Sequence, residues 1–171
     1  MNKQKYKNSC LVSKIAEELP ISGQTLSEIM KLVFAKGATI RFKARGVSMS
    51  PFIRDGDVIT VAPTPKGHLG IGKIVAFTHP TSLKLAVHRI IKRHKNCLFI
   101  QGDNKADCPD GYIPYENLLG EVIRIERNGH QVWLGLGPER VLIAWFSRIG
   151  LIISVQILLA EWRKRFTQQG I

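Results

Sequence analysis

Cysteine is scarce in this chain. Cys10, Cys97 and Cys108 form an odd set of three with no C-x-x-C spacing, which argues against a disulfide framework and against a zinc site. No other metal ligand set or cofactor motif stands out. Residues 1–8 are polar and Lys-rich, without the apolar run and small-residue cleavage site of a secretory signal peptide, so no N-terminal export signal is expected. Acidic side chains are also few, 13 Asp and Glu against 25 Lys and Arg, for a net charge of +12. Disorder is excluded by the composition: 44% of residues are hydrophobic and 22% charged, as in ordinary globular proteins. With 171 residues the chain has room for one domain with a core and short extensions, and too little for a multidomain enzyme.

The excess positive charge is uneven. Residues 1–47 carry nine basic and three acidic side chains, residues 48–137 eleven and eight, and residues 138–171 five and two. Such a surface either keeps the protein soluble or draws it to anionic lipid or nucleic acid. The pattern divides the chain into a basic N-terminal extension (1–38), a β domain (39–137) and an apolar C-terminal segment (138–171).

Thr25-Leu-Ser-Glu28 has capping-box spacing, and Leu26, Ile29, Met30, Val33 and Phe34 recur at helical intervals up to Gly37, predicting one short amphipathic helix. From Thr39 on the pattern is of short strands: 39–43, 58–62, 74–77, 83–91, 97–101, 120–127 and 131–134, separated by Gly, Pro, Asn and Asp clusters. Asn128-Gly129 between two alternating runs signals a type I′ hairpin. The predicted fold is mostly β, a small, coiled, barrel-like antiparallel sheet. The stretch from Val141 to Ala160 is long enough to span a bilayer, but Arg148 near its middle makes insertion unfavourable by about 2.5 to 3.5 kcal/mol. A helix lying in the membrane interface, with Trp145, Trp162 and the Arg163–Arg165 tail at headgroup level, fits the pattern better. Packing back on the domain or forming a dimer are the other uses of such a helix. Membrane association is the expected localisation and a cytoplasmic protein the alternative.

Four segments carry candidate chemistry. Gly46-Val-Ser48-Met49-Ser-Pro51-Phe-Ile53-Arg-Asp55-Gly56-Asp57 sets a serine between a glycine bend and a proline turn, where its hydroxyl projects and nearby N–H groups can face an oxyanion. Leu83 to Ile91 reads as a strand with Lys84, Ala86, His88 and Ile90 on one face. An unperturbed imidazole titrates near pH ~6.5 and so can accept a serine proton at neutral pH. Gly102-Asp103-Asn104 leads through Asp107 to Asp110-Gly111, a turn dense in carboxylates, and Leu118-Leu119-Gly120-Glu121-Val122 opens the next strand. A serine with a histidine base needs a third group to fix the imidazole tautomer, and Asp103 and Asp110 are the candidates, with Asp107 behind them.

In this order the four boxes resemble those of the signal peptidase I family and its relatives, the peptidase domains of self-cleaving SOS-type repressors. The resemblance covers Arg41 to about Arg127. It implies a coiled β core and serine-dependent hydrolysis of a peptide bond, with Ser48 as nucleophile. Met49, Pro51 and Ile53, which follow in the same box, fall on the substrate side. His88 stands where bacterial members have lysine and where archaeal and endoplasmic-reticulum members have histidine, so the chain resembles the Ser-His branch. Asp103 matches the acid of the Gly-Asp-Asn box and Asp110 the later acid. Gly46 replaces a hydroxyl residue that supports the oxyanion hole in many bacterial enzymes, leaving backbone donors, chiefly the Ser48 N–H.

The resemblance implies a polypeptide substrate, such as a secretory precursor, bound extended and with small side chains next to the scissile bond. An anionic membrane surface is the expected second partner. The alternatives are a self-cleaving, DNA-linked regulator on the same core, with Lys84 as base, and a non-catalytic β module. Against the regulator, one helix is too little for a helix-turn-helix, so nucleic acid is not the expected partner.

Overall fold

The structure, a computed structural model, describes residues 22–104 and 109–148. Helix α1 (Gly23–Ala35) is followed by strands β1 (Ile40–Lys43), β2 (Val58–Ala62), β3 (Ile74–Thr78), β4 (Leu85–Arg93), β5 (Cys97–Gln101), β6 (Gly111–Pro114), β7 (Leu118–Arg127) and β8 (His130–Val132), then helix α2 (Arg140–Arg148). All the strands join one antiparallel sheet in the order β1-β2-β7-β3-β4-β5-β6, with β8 added to β7. The mostly β, antiparallel architecture is the one expected. Among the described residues no pairing joins β1 to β6, so the strand path is open.

Strand β3 shows how the sequence builds this sheet. Its run Ile74-Val-Ala-Phe77 is apolar at every position because both of its faces are covered. Ile74 and Ala76 enter a core with Met30, Ile40, Ile59, Val61, Val122 and Ile125. Val75 and Phe77 enter a second core with Leu69, Ile90, Leu98, Ile100 and Ile113. Burying each larger side chain contributes about 1.5–3 kcal/mol. Helix α1 inserts Met30, with no exposed surface, into the first core, so it forms part of the sheet's packing.

Several local readings change. The N-cap of α1 is Ser22, whose hydroxyl accepts from the Thr25 N–H, so Thr25 lies inside the first turn. Gly37 does end the helix, at φ +67°. Strand β4 starts at Leu85 rather than Leu83, because Leu83 sits in the preceding turn at φ +55°. The Asn128-Gly129 hairpin forms with both residues at positive φ, 52° and 78°, as a type I′ turn requires. Strand β6 was absent from the sequence reading, since its four residues end in proline and follow a carboxylate-rich turn. Only residues 141–148 of the long apolar stretch fall among those described, and no described helix is long and apolar enough to cross a membrane. Trp162 and the Arg163–Arg165 tail lie outside the described residues.

Candidate active site

The loop between β1 and β2 carries Ser48. It is closed at its base by backbone bonds between Ala44 and the segment Gly56-Asp57: Ala44 N–H donates to Asp57 O at 2.7 Å and Gly56 N–H to Ala44 O at 2.9 Å. The Asp57 carboxylate accepts from Arg127 Nε at 2.9 Å, from Arg127 Nη2 at 2.8 Å and from the Arg54 N–H at 2.8 Å. Burial, the largest influence on Asp57, pushes its carboxyl upward, but the bonds from Arg127 and Arg54 together outweigh it and hold the group below its ordinary value. Bonding to Asp57 in turn holds the Arg127 guanidinium above its own. The Gly-Asp pair of the first box is thus the loop's anchor. Within the loop, Met49 and Ile53 point into the first core, only 4% and 3% exposed.

Strand β4 supplies the imidazole. His88 pairs with Val75 of β3 in register and rests its ring near Phe77, with centroids 6.0 Å apart. The Ser48 hydroxyl donates to His88 Nε2 at 2.8 Å. On the other side of the ring, Nδ1–H donates to Asp110 Oδ2. The carboxylate accepts and has no proton to give when ionised, so Nδ1 carries the ring proton and Nε2 turns a lone pair toward the serine. His88 is buried and Asp110 partly so, which limits competition by water. Asp110 is placed by β6, the next residue being Gly111 paired with Ile100.

Asp103 does not serve the imidazole. It lies fully buried and accepts from Arg89 Nε at 2.8 Å and Arg89 Nη2 at 2.7 Å. The expectation that it could orient His88 is corrected by strand alternation: Arg89 faces away from its neighbour His88, and it needs a carboxylate to offset its buried charge. Asp107 lies outside the described residues.

The rest of the Gly-Asp-Asn box holds the Ser48 loop. Asn104 N–H donates to Ser48 O at 2.8 Å and Asn104 Nδ2 to Val47 O at 3.3 Å. Gly102 leaves no space for a side chain: a Cβ there would stand 2.7 Å from Ser48 O and 3.2 Å from His88 Nε2. Among the described residues the Ser48 N–H has no intramolecular acceptor. Ser48, His88 and Asp110 border a cleft of about 670 Å³ that runs between the end of β1 and the start of β4. Met49 and Ile53 line its floor while belonging to the core, whereas Pro51 is not among its lining residues. Lys84 is exposed at the cleft rim, and the serine's hydrogen bond goes to His88.

Sequence reasoning missed Arg89, Gln101 and Ser147. Arg89 Nη1 donates to Gly72 O at 2.7 Å and to Gly135 O at 2.9 Å, so one guanidinium joins β4, the β5–β6 turn and two loops. A signal was present, since an arginine inside an apolar strand run implies an acid partner.

An antiparallel β domain that sets a serine hydroxyl against a carboxylate-backed imidazole in an open cleft has the composition of a serine-type peptidase. The sequence matches the Peptidase S24-like family over residues 8–123, more than half of the chain, and the chain belongs to that family. It is therefore a serine-based peptidase or self-cleaving type of domain. No curated protein matches it.

Proposed function

We propose that this protein is a serine endopeptidase of the signal-peptidase type, with Ser48 as nucleophile, His88 as general base and Asp110 as the acid that orients it. The observation that carries the reading is the hydrogen-bonded line from Ser48 Oγ through the His88 ring to Asp110. Ser48 Oγ attacks the scissile carbonyl while its proton passes to Nε2, and the oxyanion forms toward the Ser48 N–H. The imidazolium, balanced by Asp110, then gives that proton to the leaving amine. Water, deprotonated by the same nitrogen, releases the acyl group and restores the serine.

The substrate in this reading is an extended polypeptide. Strand β4 pairs with β5 only from Arg89 onward, so the backbone of residues 85–87 has no β5 partner along the cleft. An added strand there would present its scissile bond to Ser48. Small residues beside that bond, as in secretory precursors, follow from the signal-peptidase resemblance. Attachment to an anionic membrane surface belongs to the same reading. Helix α2 turns Val141, Leu142, Trp145 and Phe146 to solvent, and the sequence beyond it carries the basic cluster Arg163-Lys164-Arg165. Flotation with anionic but not zwitterionic vesicles is the expected result, and its absence removes that attachment.

The test of the catalytic assignment is labelling with a fluorophosphonate reagent and mapping of the adduct by mass spectrometry. Labelling at Ser48 is expected, lost in Ser48→Ala. It falls by about 10²–10⁴-fold in His88→Ala, while Lys84→Ala changes it little. An active His88→Ala with a dead Lys84→Ala refutes the histidine base. Family membership favours a second reading, cleavage of the chain by itself. Intact-mass measurement over time, at several protein concentrations and with Ser48→Ala as control, distinguishes it: a concentration-independent cut in its own backbone marks the self-cleaving domain.

A further inference from the structure

We propose that Ser147, on helix α2 and outside the family-matched segment, is a positioning residue for the Ser48–His88 pair. This rests on the peptidase reading of that pair. Ser147 is 1% exposed although the helix around it shows large apolar side chains to solvent. Its hydroxyl donates to Asp103 Oδ1 at 2.8 Å, and its carbonyl accepts from Gln101 Nε2 at 3.0 Å. Both partners belong to the short segment Gln101–Asn104, whose Gly102 leaves no room for a side chain beside the His88 ring and whose Asn104 donates to Ser48 O and Val47 O. Helix α2 therefore grips the turn that sets the distance between nucleophile and base.

The chemistry of the buried ion pair explains why a hydroxyl is needed at this position. Asp103 and Arg89 are both withdrawn from water, and a buried pair is tolerable only when its remaining hydrogen-bonding capacity is met. Arg89 uses Nε and Nη2 on the carboxylate and Nη1 on two carbonyls. Asp103 Oδ1 takes its second donor from Ser147. Two further contacts hold the helix start in place. The Glu139 carboxylate accepts from the N–H groups of Gly135 at 2.7 Å and Gly137 at 3.1 Å. Gly72, with no room for a Cβ, lies against the Arg140 backbone. Without the Ser147 hydroxyl, Asp103 loses one of three donors and the turn is free to shift by the few tenths of an ångström that separate a productive Ser–His contact from a long one.

The experiment compares second-order acylation of Ser48 by a fluorophosphonate, and kcat and KM on a quenched fluorescent peptide, in wild type, Ser147→Ala, Ser147→Thr and Arg148→Gln, using the full chain. Ser147→Ala is expected to slow acylation and lower kcat together by about 5- to 50-fold, with KM within about twofold. Ser147→Thr keeps the hydroxyl and is expected to stay within about threefold of wild type. Arg148→Gln alters the same helix at an exposed position and is expected to leave both rates unchanged. The proposal is overturned if Ser147→Ala acylates at the wild-type rate. It is equally overturned if the loss vanishes once rates are scaled to the folded fraction measured by urea denaturation at the assay temperature, or if KM carries the change. A wild-type protein that does not label at Ser48 refutes the peptidase reading itself, an outcome separate from these.

Discussion

Replacing Gly102 by alanine adds one methyl group at the point where three parts of the site meet. The backbone at Gly102 is not in the left-handed region, so an L residue can adopt its conformation and the perturbation is steric alone. The new Cβ would stand 2.7 Å from Ser48 O, against a relaxed carbon–oxygen contact of about 3.3 Å. It would also press on His88 Nε2 at 3.2 Å and Cδ2 at 3.3 Å. A shortfall of roughly 0.6 Å must be taken up, and the partners able to move are the serine loop and the imidazole. Either movement lengthens the 2.8 Å bond from Ser48 Oγ to Nε2. The expected result is a fall in kcat/KM of about 10²-fold, with folding weakened by about 1–3 kcal/mol as for overpacked interiors. Fluorophosphonate labelling and peptide hydrolysis measure the first quantity, and urea denaturation the second. Wild-type labelling rates in Gly102→Ala would refute the claim that this glycine sets the serine–imidazole distance.

Asp110→Asn and Asp103→Asn should separate by assay. The first is expected to lower kcat by about 10²–10⁴-fold with little change in stability, through the wrong imidazole tautomer, and the second to destabilise the fold by about 3–5 kcal/mol by leaving the Arg89 charge unbalanced; calorimetry beside peptide hydrolysis checks both. Asp57 has a depressed carboxyl, so the stability it contributes is fully present above the ordinary carboxylate range and is lost as the pH falls through its own lower value. Urea denaturation of Asp57→Asn should therefore show a constant deficit near neutrality that closes in acid, and a deficit unchanged down to low pH would contradict the Asp57–Arg127 account. The raised Arg127 group works in the opposite sense, its contribution being lost only on a rise through strongly alkaline pH.

Much of the β domain is legible in the sequence because its signals are local. Strands β2 and β5 coincide with their apolar runs, and Asn128-Gly129 specifies its own turn. Ser48 and His88 are legible as chemistry-bearing types in separate boxes, but their meeting depends on the pairing of β3 with β4 and on the cleft opposite β1. Asp103 and Asp110 could not be ranked from the sequence, since the decision turns on which face of β4 each carboxylate meets. Strand β6, which delivers Asp110, has no alternation of its own and exists by pairing with β5. Ser147 shows in the sequence only as one hydroxyl within an apolar stretch. A hydroxyl on the inner face of a helix and one on its outer face look alike until the helix has a partner, and the partner here is a buried ion pair 44 positions away.

The alternation along β4 sets an imidazole and a buried cation on consecutive residues, His88 toward the serine and Arg89 toward the interior. A one-residue slip that carried Arg89 to the place of His88 would aim a guanidinium at Ser48 and leave the apolar Ile90 at a slot built for four donor contacts. Arg89 thus works as a key for its own strand: only the correct pairing lets it turn in its lock, and that same pairing brings the imidazole to the hydroxyl. Strand alignment and the meeting of Ser48 with His88 thus rest on one and the same pairing.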